Sequence, residues 1–221
     1  MEIHTILAYA VALFSLFSVN VFLIIFLQNR KKYLLPPHQS NYEPLISVVI
    51  PAYNEGPYIK ECINSVLSSD YPKEKLQILI IDDGSTDDTY KIAKEFEIYS
   101  CVGVYTKPNG GGKKASPLNF GIKRAKGELI ATMDADSYLT KNTIRQMIPY
   151  FDDPHVMAVT PAVKIRQSNN WLKEFQRVEY MTILFSRKLL SFLDAVPVTP
   201  GPCSIFRSSV FEKIGGFDEK I

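Results

Sequence analysis

The chain is poor in the residues that build small metal and catalytic clusters. Its three histidines, His4, His38 and His155, are isolated from one another, which leaves a His-based metal site or triad without support. Its three cysteines, Cys62, Cys101 and Cys203, are odd in number and far apart. They form neither a disulfide framework nor a CxxC zinc pattern, and a reducing compartment is the natural reading. Net charge is nearly absent too: +2 over 221 residues, with no long basic stripe, which argues against a nucleic-acid partner. What is present is a composition of 46% hydrophobic and 22% charged residues, suited to one or two globular domains rather than a disordered chain.

Charge is wholly missing from one stretch. Residues 5–27, TILAYAVALFSLFSVNVFLIIFL, carry no ionisable side chain except Tyr9. As a helix this run spans roughly 30–35 Å, the thickness of a bilayer's hydrocarbon core. It is longer than a signal-peptide core and lacks a basic start, having Glu2 and His4 instead. Arg30, Lys31 and Lys32 follow at once, so the rest of the chain is expected on the cytoplasmic side of the cell membrane. Residues 33–44, with three prolines and no periodicity, read as a linker after a membrane segment at 1–32. A globular domain is expected over 45–221.

Apolar, β-branched runs then alternate with helical patterns. LISVVI (45–50), LQILII (76–81), CVGVY (101–105), ELIATM (128–133) and VMAVTPAVKI (156–165) read as strands. Helices are expected over 59–67 on the spacing of Ile59, Cys62, Ile63, Val66 and Leu67, and over 87–97 with acidic residues in the first turn. Another is expected over 116–126 with Ser116 as N-cap and Pro117 at N1, and two more over 140–151 and about 170–194. Such alternation implies an α/β fold with a doubly wound, mainly parallel sheet, whose ligands bind beyond the carboxyl ends of the strands.

Three loops fall at those ends. PAYNE (51–55) offers a ring and an amide, or a plain turn with Asn54 as N-cap. In DDGSTDD (82–88), helix capping accounts for Ser85, Thr86 and Asp87 but leaves Asp82 and Asp83 unexplained. A carboxylate there can accept hydrogen bonds from a base N–H or a ribose hydroxyl. In MDADS (133–137), Asp134 and Asp136 can present oxygens to one hard cation, Mg²⁺ or Mn²⁺, which would bridge phosphates; as solvated turn residues they would do nothing. The stretch KPNGGGKKASPLN (107–119) lacks GxxxxGK[ST] spacing, and no GxGxxG follows the first strand. A nucleotide triphosphatase and a dinucleotide dehydrogenase are therefore poor fits, although a glycine loop with two lysines before a helix can still hold an anion.

Taken in order, VVIPAYNE, IIDDGSTDDT, GKKASPLNFGI, GELIATMDADS and IGGFDE resemble the family 2 glycosyltransferases of GT-A fold, over about residues 45–221. QRVEY (176–180) and TPGPCSIFRSSVFEKIGGFDE (199–219) are most similar to the membrane-bound branch, which includes cellulose, hyaluronan, chitin and poly-N-acetylglucosamine synthases. The resemblance implies transfer of a sugar, with inversion, from a nucleoside diphosphate sugar (a UDP-sugar) to a glycan acceptor. It implies that Ala52, Tyr53, Glu55, Asp82, Asp83, Lys114 and Asp134 bind the donor. Asp83 would read the base and Lys114 would approach the diphosphate. Asp136, with Asp134 beside it, would hold the metal, and Gly201, Pro202, Cys203 and Arg207 would border the acceptor.

The family's T/E-D motif, whose aspartate is the base, follows GGFDE at a position beyond Ile221, as do the Q-x-x-R-W motif and the C-terminal membrane helices. The resemblance thus covers the donor-binding half, C-terminally incomplete, with a missing half or a partner subunit expected to complete it. Two alternatives stand beside this reading: a single-sugar transferase acting on a polyprenyl phosphate or lipid, and a nucleotide-sugar-binding module that is inactive alone.

Overall fold

The structure, a computed structural model, describes residues 3–34, 40–107, 114–166, 170–197, 199 and 202–220. The chain divides into two units: Met1–Pro36 with Ala162–Val198, and Pro37–Pro161 with Thr199–Ile221.

The larger unit is built on a six-stranded sheet in the order β3-β2-β1-β4-β6-β5. β1 (Ile46–Ala52), β2 (Leu76–Asp82), β3 (Val102–Thr106) and β4 (Leu129–Met133) are mutually parallel. β6 (Cys203–Arg207) runs antiparallel to β4 and carries the short β5 (Ala158–Val159) on its outer edge. The parallel strands are apolar on both faces because both faces are covered. Ile46, Val48 and Ile50 of β1 and Ile78 and Ile80 of β2 join one core with Ile59, Ile63 and Val66 of α2 (Gly56–Leu67). Val49, Leu79 and Ile81 point the other way, onto Leu118 of α4 (Ala115–Ile122). Each fully buried isoleucine or leucine contributes roughly 1.5–3 kcal/mol of burial free energy.

Elements differ from the expected ones where short-range chemistry intervenes. The helix expected over 87–97 is α3 (Thr89–Lys94) followed by a 3-10 turn at Glu95–Ile98. Asp87 lies before it, its carboxylate accepting from the Thr89 N–H at 3.0 Å, so no acidic residue occupies the first turn. The segment expected over 140–151 is likewise α5 (Thr143–Met147) running into a 3-10 turn at Ile148–Asp152, with Pro149 near the junction. α4 starts one residue early, with Lys114 at the N-cap, and the Ser116 hydroxyl instead accepts from Lys107 Nζ at 2.6 Å. The strand expected over 156–165 shrinks to two residues, as β5 pairs on one side only and Pro161 ends the extended run. β6, absent from the strand expectations, is held by five register pairs with β4. α7 (Ser208–Ile214) follows β6, and Phe211 and Phe217 pack against the Leu118 cluster.

The smaller unit contains α1 (Ile3–Leu34) and α6 (Trp171–Ser191). α1 is long and apolar enough to cross a membrane, and Lys31 and Lys32 sit in its last turn. α6 begins after Asn170, whose side chain accepts from the Lys173 N–H as an N-cap. The two helices meet through three rings: Phe185 stands 6.0 Å from Phe26 and 5.9 Å from Tyr33, centroid to centroid.

One glycine sets the approach of α4 to the sheet. A Cβ at Gly121 would lie 2.3 Å from Val49 Cγ1 and 3.1 Å from Ile81 Cγ1. Gly121→Ala is expected to destabilise the chain by about 1–3 kcal/mol through overpacking, read as a lower denaturation midpoint. An unchanged midpoint would show that α4 can retreat freely.

Candidate active site

The parallel register decides what meets at the carboxyl ends of the strands. Ala52 pairs with Asp82, and Val49 pairs with Thr132, so the residues after β1, β2 and β4 emerge side by side. The Asp83 N–H continues the ladder by donating to the Ala52 carbonyl at 2.9 Å. Beyond these ends lies a pocket of about 330 Å³, lined by Pro51, Ala52, Tyr53, Glu55, Asp83, Lys114, Pro117, Asp134, Ala135 and Asp136.

The first two loops are stitched together before any ligand arrives. Asn54 takes a left-handed backbone (φ 55°), which asparagine tolerates better than most residues. Its N–H donates to Ser85 Oγ at 3.0 Å, and its side-chain oxygen accepts from the Thr86 N–H at 2.8 Å. The N–H groups of Glu55 and Gly56 donate to Thr89 Oγ1 and Asp87 Oδ2 at 2.7 and 3.0 Å. The Thr89 hydroxyl, which donates to Asp87 Oδ1, and after it the N–H groups of Thr89 and Gly56 hold the Asp87 carboxyl below its ordinary range. Asn54, Ser85 and Thr86 therefore brace one loop on the other. None of the three caps a helix, and Glu55 occupies the N-cap position of α2.

Asp82 and Asp83 part ways. Both are buried, but Asp82 turns back on its own loop and accepts from the Ser85 N–H at 3.4 Å. Asp83 lines the pocket, with Lys107 Nζ 3.9 Å from its carboxylate. After β4, Asp134 is half-buried, Ala135 is buried and Asp136 is exposed, so the buried alanine leaves both carboxylates on the pocket. Lys114 forms an ion pair with Asp134. Tyr53 and Ala52 line the same space.

The residues expected on the acceptor side do not stay together. The Asp134 N–H donates to the Pro202 carbonyl at 3.2 Å, and Cys203 is paired with Met133, directly beneath the pocket. The antiparallel direction of β6 carries Arg207 to the other end of the sheet, opposite Leu129. There its guanidinium donates to the carbonyls of Phe151, Asp153 and Val156, a structural clamp rather than a pocket residue. Gly201 and the glycine loop at 108–113 lie outside the described residues. Sequence reasoning did not mark Pro51, Pro117 and Ala135 as lining; each sits inside a quoted motif, and their apolar character hid them.

Electrostatics sharpen the picture. Among the described residues that line the pocket, four are carboxylates (Glu55, Asp83, Asp134 and Asp136) and one is a cation, Lys114, with Lys107 behind Asp83. Burial first, then the charges of Asp136, Asp87 and Asp134, raise the Glu55 pKa above its ordinary value. Under the floor, the Cys62 and Cys203 thiols are pushed up to about 12 by burial above all, so both stay protonated and neither is poised as a nucleophile. Among the described residues, no group of three or more His, Cys, Asp or Glu side chains is placed to hold a metal ion. Asp134 and Asp136 nevertheless offer the hard oxygen donors that Mg²⁺ or Mn²⁺ prefers, and Mg²⁺ in particular is commonly held by one or two carboxylates plus substrate phosphates and water. The donor set thus fits a cation whose coordination the ligand completes.

Comparison with known proteins agrees with the fold. Residues 47–215 match the family described as Glycosyl transferase family 2. The poly-beta-1,6-N-acetyl-D-glucosamine synthase of Staphylococcus epidermidis is 33% identical over 176 residues, which cover 78% of this chain and 42% of that protein. The probable glycosyltransferase YdaM of Bacillus subtilis is 33% identical over 190 residues, covering 80% and 44%. The chain therefore spans less than half the length of these relatives. Among solved structures, the mannosyltransferase PcManGT of Pyrobaculum calidifontis, in complex with GDP-Man and Mn²⁺, superposes with a TM-score of 0.71 at 25% identity, covering 96% of this chain and 59% of that one. TarS of S. aureus in complex with UDP gives a TM-score of 0.60 at 23% identity, covering 79% and 50%, a likeness of fold. The fold and the strand-end pocket define a GT-A type α/β protein. The chain belongs to glycosyl transferase family 2.

The raised pKa of Glu55 has a testable sign. Between the ordinary glutamate value and the raised one, the folded chain binds more protons than the unfolded chain, so stability falls as pH rises through that window. Glu55→Gln is expected to raise the melting temperature of the metal-free chain at neutral pH. The gain should vanish at acid pH, where Glu55 is protonated in both states. An equal gain at both pH values would remove the electrostatic account.

Proposed function

We propose that the chain carries the donor-binding half of a membrane-anchored, inverting glycosyltransferase that takes a nucleoside diphosphate sugar, with UDP as the nucleotide, and serves a growing glycan. The observation that carries this is the charge of the pocket. Among the described residues lining the pocket, four carboxylates face Lys114, which disfavours a diphosphate unless a divalent cation accompanies it. Relatives that make an N-acetylglucosamine polymer, and neighbours whose solved structures hold GDP-Man with Mn²⁺ or UDP, support the same class of ligand.

In this reading Asp83 accepts hydrogen bonds from the base, with Ala52 and Tyr53 beside it, and Asp82 keeps the loop closed from behind. Asp134 and Asp136 hold Mg²⁺ or Mn²⁺, which when bound neutralises charge on the departing diphosphate. Lys114 moves from Asp134 to the diphosphate. Pro202 and Cys203 shape the floor beneath the acceptor side. A base is still required to deprotonate the acceptor hydroxyl, and we assign that role to none of the residues present. Residues 1–32 anchor the chain, 33–44 link, and 45–221 supply the transferase domain. The basic end of α1 orients that domain to the cytoplasm.

Calorimetry tests the reading. UDP is expected to bind in the presence of Mn²⁺ and to lose about tenfold or more in affinity when the metal is chelated or when Asp136 is replaced by Ala. Equal affinity in all three conditions would remove the metal role. Tighter binding of GDP than UDP would keep the class and correct the base.

A further inference from the structure

Lys107 stands behind the pocket, against the carboxylate of Asp83, and does not line the space itself. Its place follows from the sheet. The β2–β3 register ends at the pair Asp82–Thr106, so Asp83 and Lys107 leave neighbouring strands at the same level. The Lys107 N–H donates to the Asp82 carbonyl at 2.8 Å and extends the ladder by one bond. The ammonium group is then held from two sides. Nζ donates to the hydroxyl of Ser116, in the first turn of α4, at 2.6 Å, and lies 3.9 Å from Asp83 Oδ1. The side chains of Lys107 and Asp83 are 26% and 3% exposed, against 49% for Lys114. The charge of Lys107, after the Asn119 amide and the Ser116 hydroxyl, also holds the Glu219 carboxyl below its ordinary value. Lys107 is thus an anchored charge, where Lys114 is an exposed one.

A carboxylate as deeply buried as Asp83 loses its hydration, and a cation nearby favours its ionised form. At 3.9 Å the ammonium acts by charge and not by a hydrogen bond, so it stabilises the carboxylate without occupying an acceptor oxygen. An ionised carboxylate only accepts hydrogen bonds. A pyrimidine base feels that difference: uracil offers an N–H at N3, whereas cytosine offers a bare nitrogen there. A charged, immobile carboxylate accepts from the first and repels the second.

We infer that Lys107, clasped by Ser116, is a positioning residue for base selection: it keeps the Asp83 carboxylate charged and turned to the pocket, so that the site takes a uracil nucleotide over a cytosine one. The inference rests on the proposed reading in which Asp83 meets the base of a nucleoside diphosphate. It gives Lys107 no contact with the donor.

Calorimetry on the full chain in detergent, with Mn²⁺ and either UDP or CDP, tests it. The two nucleotides share ribose and diphosphate, so their affinity ratio reports on the base alone. The wild type is expected to favour UDP. Lys107→Met should lower UDP affinity by about tenfold, the loss expected of one charge-assisted hydrogen bond, and change CDP affinity by less than about threefold. Lys107→Arg should retain the preference, because it keeps the charge. Ser116→Ala leaves the lysine but removes its clasp, and should reduce the UDP:CDP affinity ratio by about threefold. A melting temperature accompanies each titration, and if Lys107→Met does not fold, Ser116→Ala decides. An unchanged ratio in the variants that fold overturns the inference. So does an equal loss of both nucleotides, which would make Lys107 a charge for the phosphate end or for the fold. A wild type that binds UDP and CDP alike contradicts base reading by Asp83 and takes the inference with it, while leaving the donor site. A wild type that binds neither overturns both.

Discussion

The structure depends on the concentration of negative charge at the carboxyl ends of three neighbouring parallel strands. β1, β2 and β4 are buried on both faces and carry no charged residue before the last position of β2, Asp82. Their register brings Glu55, Asp83, Asp134 and Asp136 onto one pocket as soon as the strands end. Burial first, and then the neighbouring charges of Asp136, Asp87 and Asp134, raise the proton affinity of Glu55. The fold tolerates this because the surrounding loops are fixed by bonds that need no ligand: Asn54 to Ser85 and Thr86, Glu55 to Thr89, and Gly56 to Asp87. Lys114 on Asp134 relieves part of the repulsion. In the proposed reading, such a pocket receives a cation and the anion that the cation brings.

The remaining polar groups support this arrangement from outside the pocket. Asn119 of α4 donates to the Phe217 carbonyl and accepts from the Phe217 N–H, both at 2.8 Å, which docks the segment after α7 onto the helix that follows Lys114. A Cβ on Gly216 would strike the Asn119 side chain at 2.2 Å, so glycine is needed there for the close approach. Cys62 donates to the Asp134 carbonyl at 3.6 Å, a weak contact that places a neutral thiol, not a charge, behind the aspartates. Arg207 ties the 3-10 turn at Ile148–Asp152 to β6 at the far end of the sheet, and this fixes the strand that lies next to β4.

Much of this was legible in the residues. The buried strands show as continuous Val and Ile runs because parallel strands need no polar face. The three strand-end loops follow from the topology alone. Other features were not legible, for physical reasons. CSIFR is too short and mixed to declare a strand, and its antiparallel pairing with β4 is a tertiary fact, so Arg207, expected to border the acceptor, lies opposite Leu129 at the far end of β4. The different fates of Asp82 and Asp83 depend on which way each side chain leaves the turn, and Gly84, with φ 80°, sets that turn. The run 156–165 has strand composition, but an edge with one partner supports only two paired residues. The bond that replaced the expected Ser116 cap comes from Lys107, nine residues away in sequence.

The central claim is that the pocket's excess carboxylate exists to receive a cation together with a nucleoside diphosphate. Crystals grown with UDP and Mn²⁺, measured at the manganese absorption edge, test it most directly. The account predicts one anomalous peak within coordination reach of an Asp136 oxygen and of a diphosphate oxygen, with Lys114 withdrawn from Asp134. Nucleotide bound in the pocket with no anomalous peak at Asp134 or Asp136, and with the Lys114–Asp134 pair intact, would contradict it.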